Sequence, residues 1–144
     1  MRRALLDTDV ILDVLLERQP FVEAAADLWR AHEQGRFEAS IAAITPLNVA
    51  YVVRRLRDRA TATSAVDGLL AVFGICGIDG AVLRRARALP LADVEDATQV
   101  AAAEAAGLEA IITRNTGDFA GATLPVSTPA DFLAQLPPAN EGGR

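Results

Sequence analysis

Short apolar runs alternate with longer amphipathic stretches along this chain, and the alternation predicts an α/β fold. The apolar runs have the length of buried strands, which span about four to eight residues. The pattern predicts five strands, at residues 3–6, 39–44, 73–78, 109–113 and 124–127. Apolar side chains at helical spacing predict helices at residues 10–16, 21–33, 62–72, 94–106 and 129–136, with two further helices beginning at Pro46 and after Asp79.

The residues at the predicted helix ends support these boundaries. Thr45 and Pro46 suit the N-cap and the first helical position of one helix, while Asp79 and Asp93 suit the N-caps of two others. Within the first four strands, two helices separate each strand from the next, which implies right-handed crossovers and parallel pairing. The predicted architecture is a three-layer α/β/α domain with a central, mainly parallel sheet of about five strands.

The 144 residues contain no linker, repeat or low-complexity segment, so we expect one domain over residues 1–136 and a flexible tail over 137–144. A chain of this length buries about 68–70% of its unfolded surface and needs no disulfide. Cys76 is the one cysteine, and we expect a buried, unreactive thiol, which fits a reducing compartment. The apolar run before Asp7 is too short for a secretion signal or a membrane span, so we predict a cytoplasmic protein.

The overall charge argues against a broad basic surface for nucleic acid. The net charge is −5, the pI is about 4.8, and all 14 basic residues are arginines. Binding along a nucleic-acid backbone through many phosphate contacts needs clustered positive charge. A local arginine can still hold a phosphate, and carboxylates that bind a metal add negative charge which the metal partly cancels. The composition is therefore compatible with a metal-dependent nuclease.

Three aspartates fall where a parallel sheet gathers its ligands. Asp7 follows the first strand, Asp118 lies in the loop after the fourth strand, and Asp96 lies in the first turn of the helix before that strand. Ligands of such sheets bind beyond the carboxyl ends of the strands, so we expect the three side chains at one edge. Carboxylates favour Mg²⁺ or Mn²⁺, which can activate water and neutralise phosphate. The pattern predicts a metal-dependent phosphodiesterase.

Structural explanations compete for several of these acids. Asp93 and Asp96 have the spacing of an N-cap and the third helical position, where carboxylates are stabilised without any catalytic role. Asp9 and Asp13 lie four residues apart on one helix face and are assigned structural roles. Asp118 is also acceptable as an ordinary loop acid, whereas Asp7 ends an apolar strand and has no such explanation.

Two other residue types bear on the chemistry. Arg114 neighbours the proposed site and is a candidate for contact with a substrate phosphate. His32 is the one histidine and is predicted to be a solvated residue in the middle of a helix. Serine or cysteine nucleophile chemistry is therefore poorly supported.

Taken together, these motifs resemble the PIN-domain ribonucleases. The resemblance is carried by LLDTDV at residues 5–10, DA at 96–97 before an alanine-rich helix, and ITRN at 112–115 with Asp118 and Phe119 following. It extends to residue 136. It implies a PIN fold and a metal-dependent endoribonuclease similar to the VapC-type toxins of bacterial toxin–antitoxin pairs. RNA as substrate, a small antitoxin partner and a homodimer are implied with it.

The resemblance also implies roles for individual residues. By position, Asp7, Asp96 and Asp118 match the family's acidic ligands for Mg²⁺ or Mn²⁺. The polar residues that match or flank supporting positions are Thr8, Asn48, Glu95, Thr113 and Asn115.

The chain departs from the family pattern at two positions. Many members carry a glutamate in the helix after the second strand, where this chain has Asn48. An amide is a neutral and weaker ligand, so we expect Glu95, beside Asp96, to be a candidate for compensating the lost charge. The position after Asp7 and Thr8 is often asparagine in the family and is Asp9 here.

Two other function classes stay open at this stage. One is a PIN-fold binding module whose catalysis is weakened or lost at Asn48. The other is a phosphatase of the haloacid-dehalogenase type, which LLDTD at residues 5–9 also resembles. Those phosphatases use a later basic residue, most often lysine, and then a further acidic pair, and this chain has no lysine. A receiver domain fails for the same reason.

Overall fold

The structure, a computed structural model, describes residues 1–138. Within these residues five strands alternate with seven α-helices and a 3₁₀ helix at Thr116–Phe119. The strands are β1 (Arg3–Leu6), β2 (Glu38–Ala42), β3 (Gly74–Cys76), β4 (Ala110–Ile112) and β5 (Val126–Ser127). The α-helices are α1 (Thr8–Leu15), α2 (Val22–Glu33), α3 (Ile44–Leu56), α4 (Arg59–Val72), α5 (Gly80–Ala88), α6 (Val94–Ala105) and α7 (Pro129–Gln135).

Strand β1 forms the centre of the sheet. The strand order is β3-β2-β1-β4-β5 and every neighbouring pair is parallel. In this register Ala4 lies opposite Ala39 on one side and Ala110 on the other. The ladder continues one residue past β1, because the Asp7 amide donates to the Ile112 carbonyl at 2.9 Å. All carboxyl ends of the strands therefore meet at one edge, where Asp7 follows the central strand.

Helices cover both faces of the sheet. Successive side chains of a strand point to opposite faces. In β1, Leu6 belongs to the core cluster that includes residues of α1, α2, α3, α4 and α7, and Leu5 belongs to the one that includes residues of α5 and α6. Both leucines are fully buried. The predicted three-layer α/β/α class with a five-stranded parallel sheet is confirmed. Among the described residues, no helix combines the length and apolar character that crossing a membrane requires.

The predicted start of α3 is wrong. The helix begins at Ile44 with Ala43 at its N-cap, so Thr45 lies inside the first turn instead of capping it. The Thr45 side chain is fully buried, and its hydroxyl is hydrogen-bonded to the Thr8 hydroxyl at 2.8 Å. A hydroxyl used across the α1–α3 contact is not available to cap its own helix. The predicted N-cap was wrong because the Thr45 hydroxyl is hydrogen-bonded to Thr8 of another helix.

His32 is not solvated as predicted. Its Nδ1 accepts the Ala39 amide hydrogen at 3.0 Å, and its Nε2 lies 2.8 Å from the Val72 carbonyl oxygen. The ring also stacks on Phe73 with centroids 5.0 Å apart. Since Nδ1 accepts, Nε2 carries the hydrogen and donates it to Val72. His32 therefore joins α2, β2 and the end of α4, and has no part in the chemistry at the carboxyl edge.

The predicted strands at the two ends of the sheet are longer than the observed ones. Strands β3 and β5 contain three and two residues and pair on one side only, so their ends lack a second partner. Cys76 in β3 is buried as expected, and burial raises the pKa of its thiol. Of the tail predicted over 137–144, residues 139–144 lie outside the described residues. The Pro137 carbonyl accepts a hydrogen bond from Arg36 at 3.0 Å.

Candidate active site

Asp7 is the most constrained acid at the carboxyl edge, with 6% of its surface exposed. It occupies the N-cap position of α1, yet its carboxylate makes no side-chain cap hydrogen bond. Instead, the Thr113 hydroxyl donates to Oδ2 at 2.7 Å and the Gln99 amide donates to Oδ1 at 3.0 Å. Burial raises the pKa of Asp7, although both hydrogen bonds act in the opposite direction. Residues distant in sequence therefore fix both oxygens.

Gln99 is a site residue that the sequence analysis missed. It lies in α6, one turn after Asp96, and is 1% exposed among the buried alanines and valine of that helix. Its Oε1 has no hydrogen-bond partner among the described residues. A buried glutamine whose polar atoms are not all hydrogen-bonded is uncommon and costly. A polar residue on the alanine-rich face of a predicted helix was therefore the feature of the sequence that could have identified Gln99.

Asp96 combines a structural position with a perturbed carboxyl. The Asp96 amide donates to the Asp93 carboxylate at 2.9 Å, which confirms Asp93 as the N-cap of α6. Burial raises the pKa of Asp96 to about 7, and the nearby carboxylates add to the shift, led by Asp7. The other contributors are Asp93, Asp118 and Glu95. Asp96 therefore faces concentrated negative charge that its capping geometry alone does not explain.

The predicted acids meet around two adjoining cavities. One cavity, of about 270 Å³, is lined by acids, by polar residues and by the faces of α1 and α3, namely Asp7, Thr8, Asp9, Leu12, Asn48, Tyr51, Val52, Glu95, Asp96 and Asp118. A second, of about 430 Å³, contains Asp93, Asp96 and Asp118 in its lining. Since Asp96 and Asp118 line both, they form the ridge between the two cavities.

The segment after β4 forms hydrogen bonds with acids of the β1–α1 segment. The Thr113 hydroxyl reaches Asp7, and the Asn115 amide donates to Asp9 Oδ2 at 2.7 Å. Thr113 also accepts the Asn115 backbone amide at 3.0 Å, which shapes the turn. Asp118 follows in the exposed 3₁₀ helix. Thr113 and Asn115 thus contact acids of the site.

Asn48 and Glu95 are hydrogen-bonded to each other across the mouth of the first cavity. The Asn48 amide donates to Glu95 Oε1 at 2.8 Å, which joins α3 to the first turn of α6. Both residues line the cavity that contains Asp7, Asp96 and Asp118. Asn48 therefore adds no carboxylate to the cavity, and its amide instead holds the Glu95 carboxylate there.

The donor set fits a hydrated divalent cation better than an enclosed one. Carboxylate oxygens of Asp7, Asp96, Asp118 and Glu95 line one cavity, and hard oxygens are the ligands that Mg²⁺ and Mn²⁺ prefer. Across residues 1–138, no group of three or more His, Cys, Asp or Glu side chains is arranged so that it could hold a metal ion. Mg²⁺ commonly keeps several waters and uses one or two carboxylates, which suits this open arrangement.

The sequence profile described as the PIN domain matches residues 3–117. This chain belongs to the PIN-domain family. The matched residues extend from β1 to the 3₁₀ helix and include Asp7, Asn48, Asp96 and the loop after β4. No curated protein matches the chain in sequence.

Solved structures of other PIN proteins share the fold. The toxin–antitoxin complex from Klebsiella pneumoniae is 29% identical, with a TM-score of 0.65 over 88% of this chain and 97% of that chain. VapBC2 from Rickettsia felis, bound to a DNA fragment from its promoter, is 13% identical, with a TM-score of 0.70 over 88% of this chain and 98% of that chain. VapC20 from Mycobacterium tuberculosis, a Sarcin–Ricin loop cleaving toxin, is 13% identical, with a TM-score of 0.62 over 75% of this chain and 86% of that chain.

The raised pKa of Asp96 predicts that the metal-free PIN domain loses stability as the pH rises. The folded-state pKa of about 7 exceeds the ordinary value of 3.8, so the folded protein holds a proton that the unfolded chain releases between these values. The free energy of unfolding therefore falls from about pH 4 to about pH 7. Asp7 acts in the same direction.

In EDTA at pH 7.5, we expect Asp96→Asn to raise the urea midpoint above that of the wild type, and the difference to shrink at pH 5. Asp67→Asn makes the same change of charge at an exposed position in α4 and serves as the control. If the wild-type midpoint rose from pH 5 to pH 7.5 and the Asp96→Asn midpoint stayed below it, the expected repulsion between Asp96 and the neighbouring carboxylates would be refuted.

Proposed function

We propose that this PIN domain is a metal-dependent endoribonuclease that hydrolyses RNA phosphodiester bonds and acts as the toxin of a toxin–antitoxin pair. The observation that carries the proposal is that Asp7, Asp96 and Asp118 line one cavity at the carboxyl edge of the sheet. The Klebsiella pneumoniae complex, at 29% identity, supports the toxin–antitoxin assignment. The cleavage ascribed to VapC20 from Mycobacterium tuberculosis supports RNA as the substrate.

Asp7 and Asp96 are the residues that would hold Mg²⁺ or Mn²⁺, with Asp118 contributing from the ridge between the cavities. A bound divalent cation supplies an activated water and charge neutralisation for the phosphate. Thr113 and Gln99 fix the two oxygens of the Asp7 carboxylate, which lines the cavity. The carboxylates that raise the pKa of Asp96 also repel a phosphodiester, so substrate entry depends on a cation offsetting their charge.

The partner of the proposed toxin is a small antitoxin protein, and α3 offers apolar side chains for such a contact. Leu47, Tyr51 and Leu56 are all more than half exposed on this helix. Tyr51 also lines the acidic cavity, so a partner seated on α3 would approach the site. A homodimer stays a prediction.

A PIN-fold binding module without catalysis is the second candidate function. The observation that favours it is Asn48, whose amide occupies a position where the resemblance leads one to expect a glutamate. Membership of the PIN family leaves no support for a phosphatase of the haloacid-dehalogenase type. The two remaining candidates differ in whether purified protein turns over RNA.

Nuclease activity is tested with purified protein, a mixed RNA pool and Mn²⁺. We expect cleavage that EDTA abolishes and that Asp7→Asn and Asp96→Asn each lower by about 100-fold, because each removes one charge from the metal site. Asp67→Asn, on the exposed side of α4, should cleave like the wild type. Denaturing gel electrophoresis of end-labelled RNA measures the rates.

Three results would count against the nuclease. Cleavage that survives both substitutions would assign it to a contaminant or to other residues. No cleavage together with tight binding to a co-encoded small protein would favour the binding module. Turnover of a small phosphomonoester through an aspartyl-phosphate would overturn both.

The hydrogen bond between Asn48 and Glu95 predicts that Glu95 contributes to metal binding. We expect Glu95→Gln to weaken Mn²⁺ binding by about 10-fold, as is typical when a residue supporting a metal site is lost. Asn48→Glu should place two carboxylates in contact and lower the stability of the metal-free protein. The double variant Asn48→Glu/Glu95→Gln exchanges the amide and the acid, keeps the net charge, and should restore most of the affinity.

Titration calorimetry with Mn²⁺ measures these affinities, and Glu23→Gln on the exposed side of α2 is the matched control. Unchanged affinity in Glu95→Gln would show that Glu95 does not replace the missing acid. Failure of the exchanged pair to bind Mn²⁺ in a folded protein would show that the two positions are not equivalent.

A further inference from the structure

Three consecutive residues after β4 each bind a different acid of the β1–α1 segment. Thr113 binds Asp7, Asn115 binds Asp9, and Arg114 binds an acid that lies away from the cavity. That acid is Asp13, one helical turn after Asp9 in α1. The first two contacts belong to the candidate active site, whereas the third is so far unexplained.

The Asp13–Arg114 contact is a partly buried ion pair, in which the carboxylate is the buried member. Asp13 is 1% exposed, and its Oδ2 accepts a hydrogen bond from Arg114 Nε at 2.8 Å. Arg18 is a more distant second cation, 3.8 Å from Oδ1, and that oxygen has no hydrogen-bond partner among the described residues. A buried carboxylate that loses its main cation is strongly destabilised, so Asp13 depends on Arg114 staying in place.

Arg114 is immobilised from two sides. Asp13 holds its Nε, and the guanidinium carbon lies 4.2 Å from the centroid of the Phe21 ring, a cation–π contact. Only 24% of the side chain is exposed. These two contacts restrict the motion that Arg114 would need to reach a substrate phosphate.

The backbone position of Arg114 connects this ion pair to the site. Its neighbours Thr113 and Asn115 donate hydrogen bonds to Asp7 and Asp9. The 3₁₀ helix that contains Asp118 begins two residues after Arg114. Asp9 and Asp13 lie on one face of α1, so the contacts of Asn115 and Arg114 bind the loop to that face at two levels. Releasing Arg114 would remove one of the two side-chain contacts that bind the loop to α1.

We propose that Asp13 and Arg114 are a positioning pair, which holds the 113–118 segment against α1 so that Asn115 and Asp118 keep their places relative to Asp7 and Asp9. The inference rests on the proposed nuclease function and adds two residues that touch neither metal nor substrate. It also replaces the phosphate-binding role predicted for Arg114 from its place in the sequence.

The test uses the full chain and four proteins: wild type, Asp13→Asn, Arg114→Gln, and the double variant. Each single variant breaks the ion pair, whereas the double variant replaces it with a neutral pair in which the glutamine amide can donate to the asparagine carbonyl. Urea unfolding of the metal-free proteins identifies conditions in which all four are folded. Under those conditions, titration calorimetry measures the Kd for Mn²⁺, and RNA cleavage gives kcat and KM separately.

We expect each single variant to raise the Kd for Mn²⁺ and to lower kcat by about 10-fold, with KM within about twofold of the wild type. The double variant should recover most of both losses, since the contact between the loop and α1 is restored. Rescue by a neutral pair would show that the contact, and not the charge of Arg114, matters to the site.

Other outcomes overturn the inference. If Arg114→Gln and the double variant both raise KM while Asp13→Asn behaves like the wild type, Arg114 contacts the substrate. If the folded single variants keep the wild-type Kd and kcat, the pair contributes only to stability. A wild type that neither binds Mn²⁺ nor cleaves RNA would instead refute the proposed function. In that case, an Asp13→Asn variant with an unchanged urea midpoint would contradict the ion pair as well.

Discussion

Burial of the Asp7 carboxylate at the end of the central strand is the constraint on which the rest of the site depends. An isolated buried carboxylate is costly. Its cost is offset by hydrogen bonds from Thr113 and Gln99, which come from the loop after β4 and from α6. Parallel pairing on both sides of β1 places Asp7 at the carboxyl edge of the sheet. Fold and site are therefore coupled through one side chain.

The acids around Asp7 place a second demand on the structure, which is the mutual repulsion of like charges. Asp96 shows it most clearly, because burial and its neighbours raise its pKa to about 7. Metal-free protein relieves the repulsion by keeping a proton, and a divalent cation would relieve it by binding. Asn48 lowers the local charge by one relative to a glutamate, yet its amide retains Glu95 at the cavity. The charge around the cavity is therefore distributed differently from that of a site with a glutamate at position 48.

The sequence predicted most of the fold and the location of the acids, since both follow from local patterns. Strand and helix periodicity gave the α/β order, and parallel pairing brings Asp7, Asp96 and Asp118 to one edge. The contacts that orient these acids were not predictable, because they join residues such as Gln99 and Asp7 that are 92 positions apart. Thr45 shows the same limit, since its hydroxyl satisfies Thr8 and not its own helix. Asp13 and Arg114 could not be paired from the sequence either, because they lie 101 positions apart. The metal-ligand roles of the three aspartates stay predictions.

The central claim is that the carboxyl edge holds a divalent cation between Asp7 and Asp96, and anomalous diffraction from crystals soaked in Mn²⁺ tests it most directly. We predict one anomalous peak in the acidic cavity, with carboxylate oxygens of both residues at about 2.0–2.3 Å, and no peak there in crystals of Asp7→Asn. An Mn²⁺ peak at other residues only, or an empty cavity at saturating Mn²⁺ in a crystal that leaves the cavity open, would contradict the account.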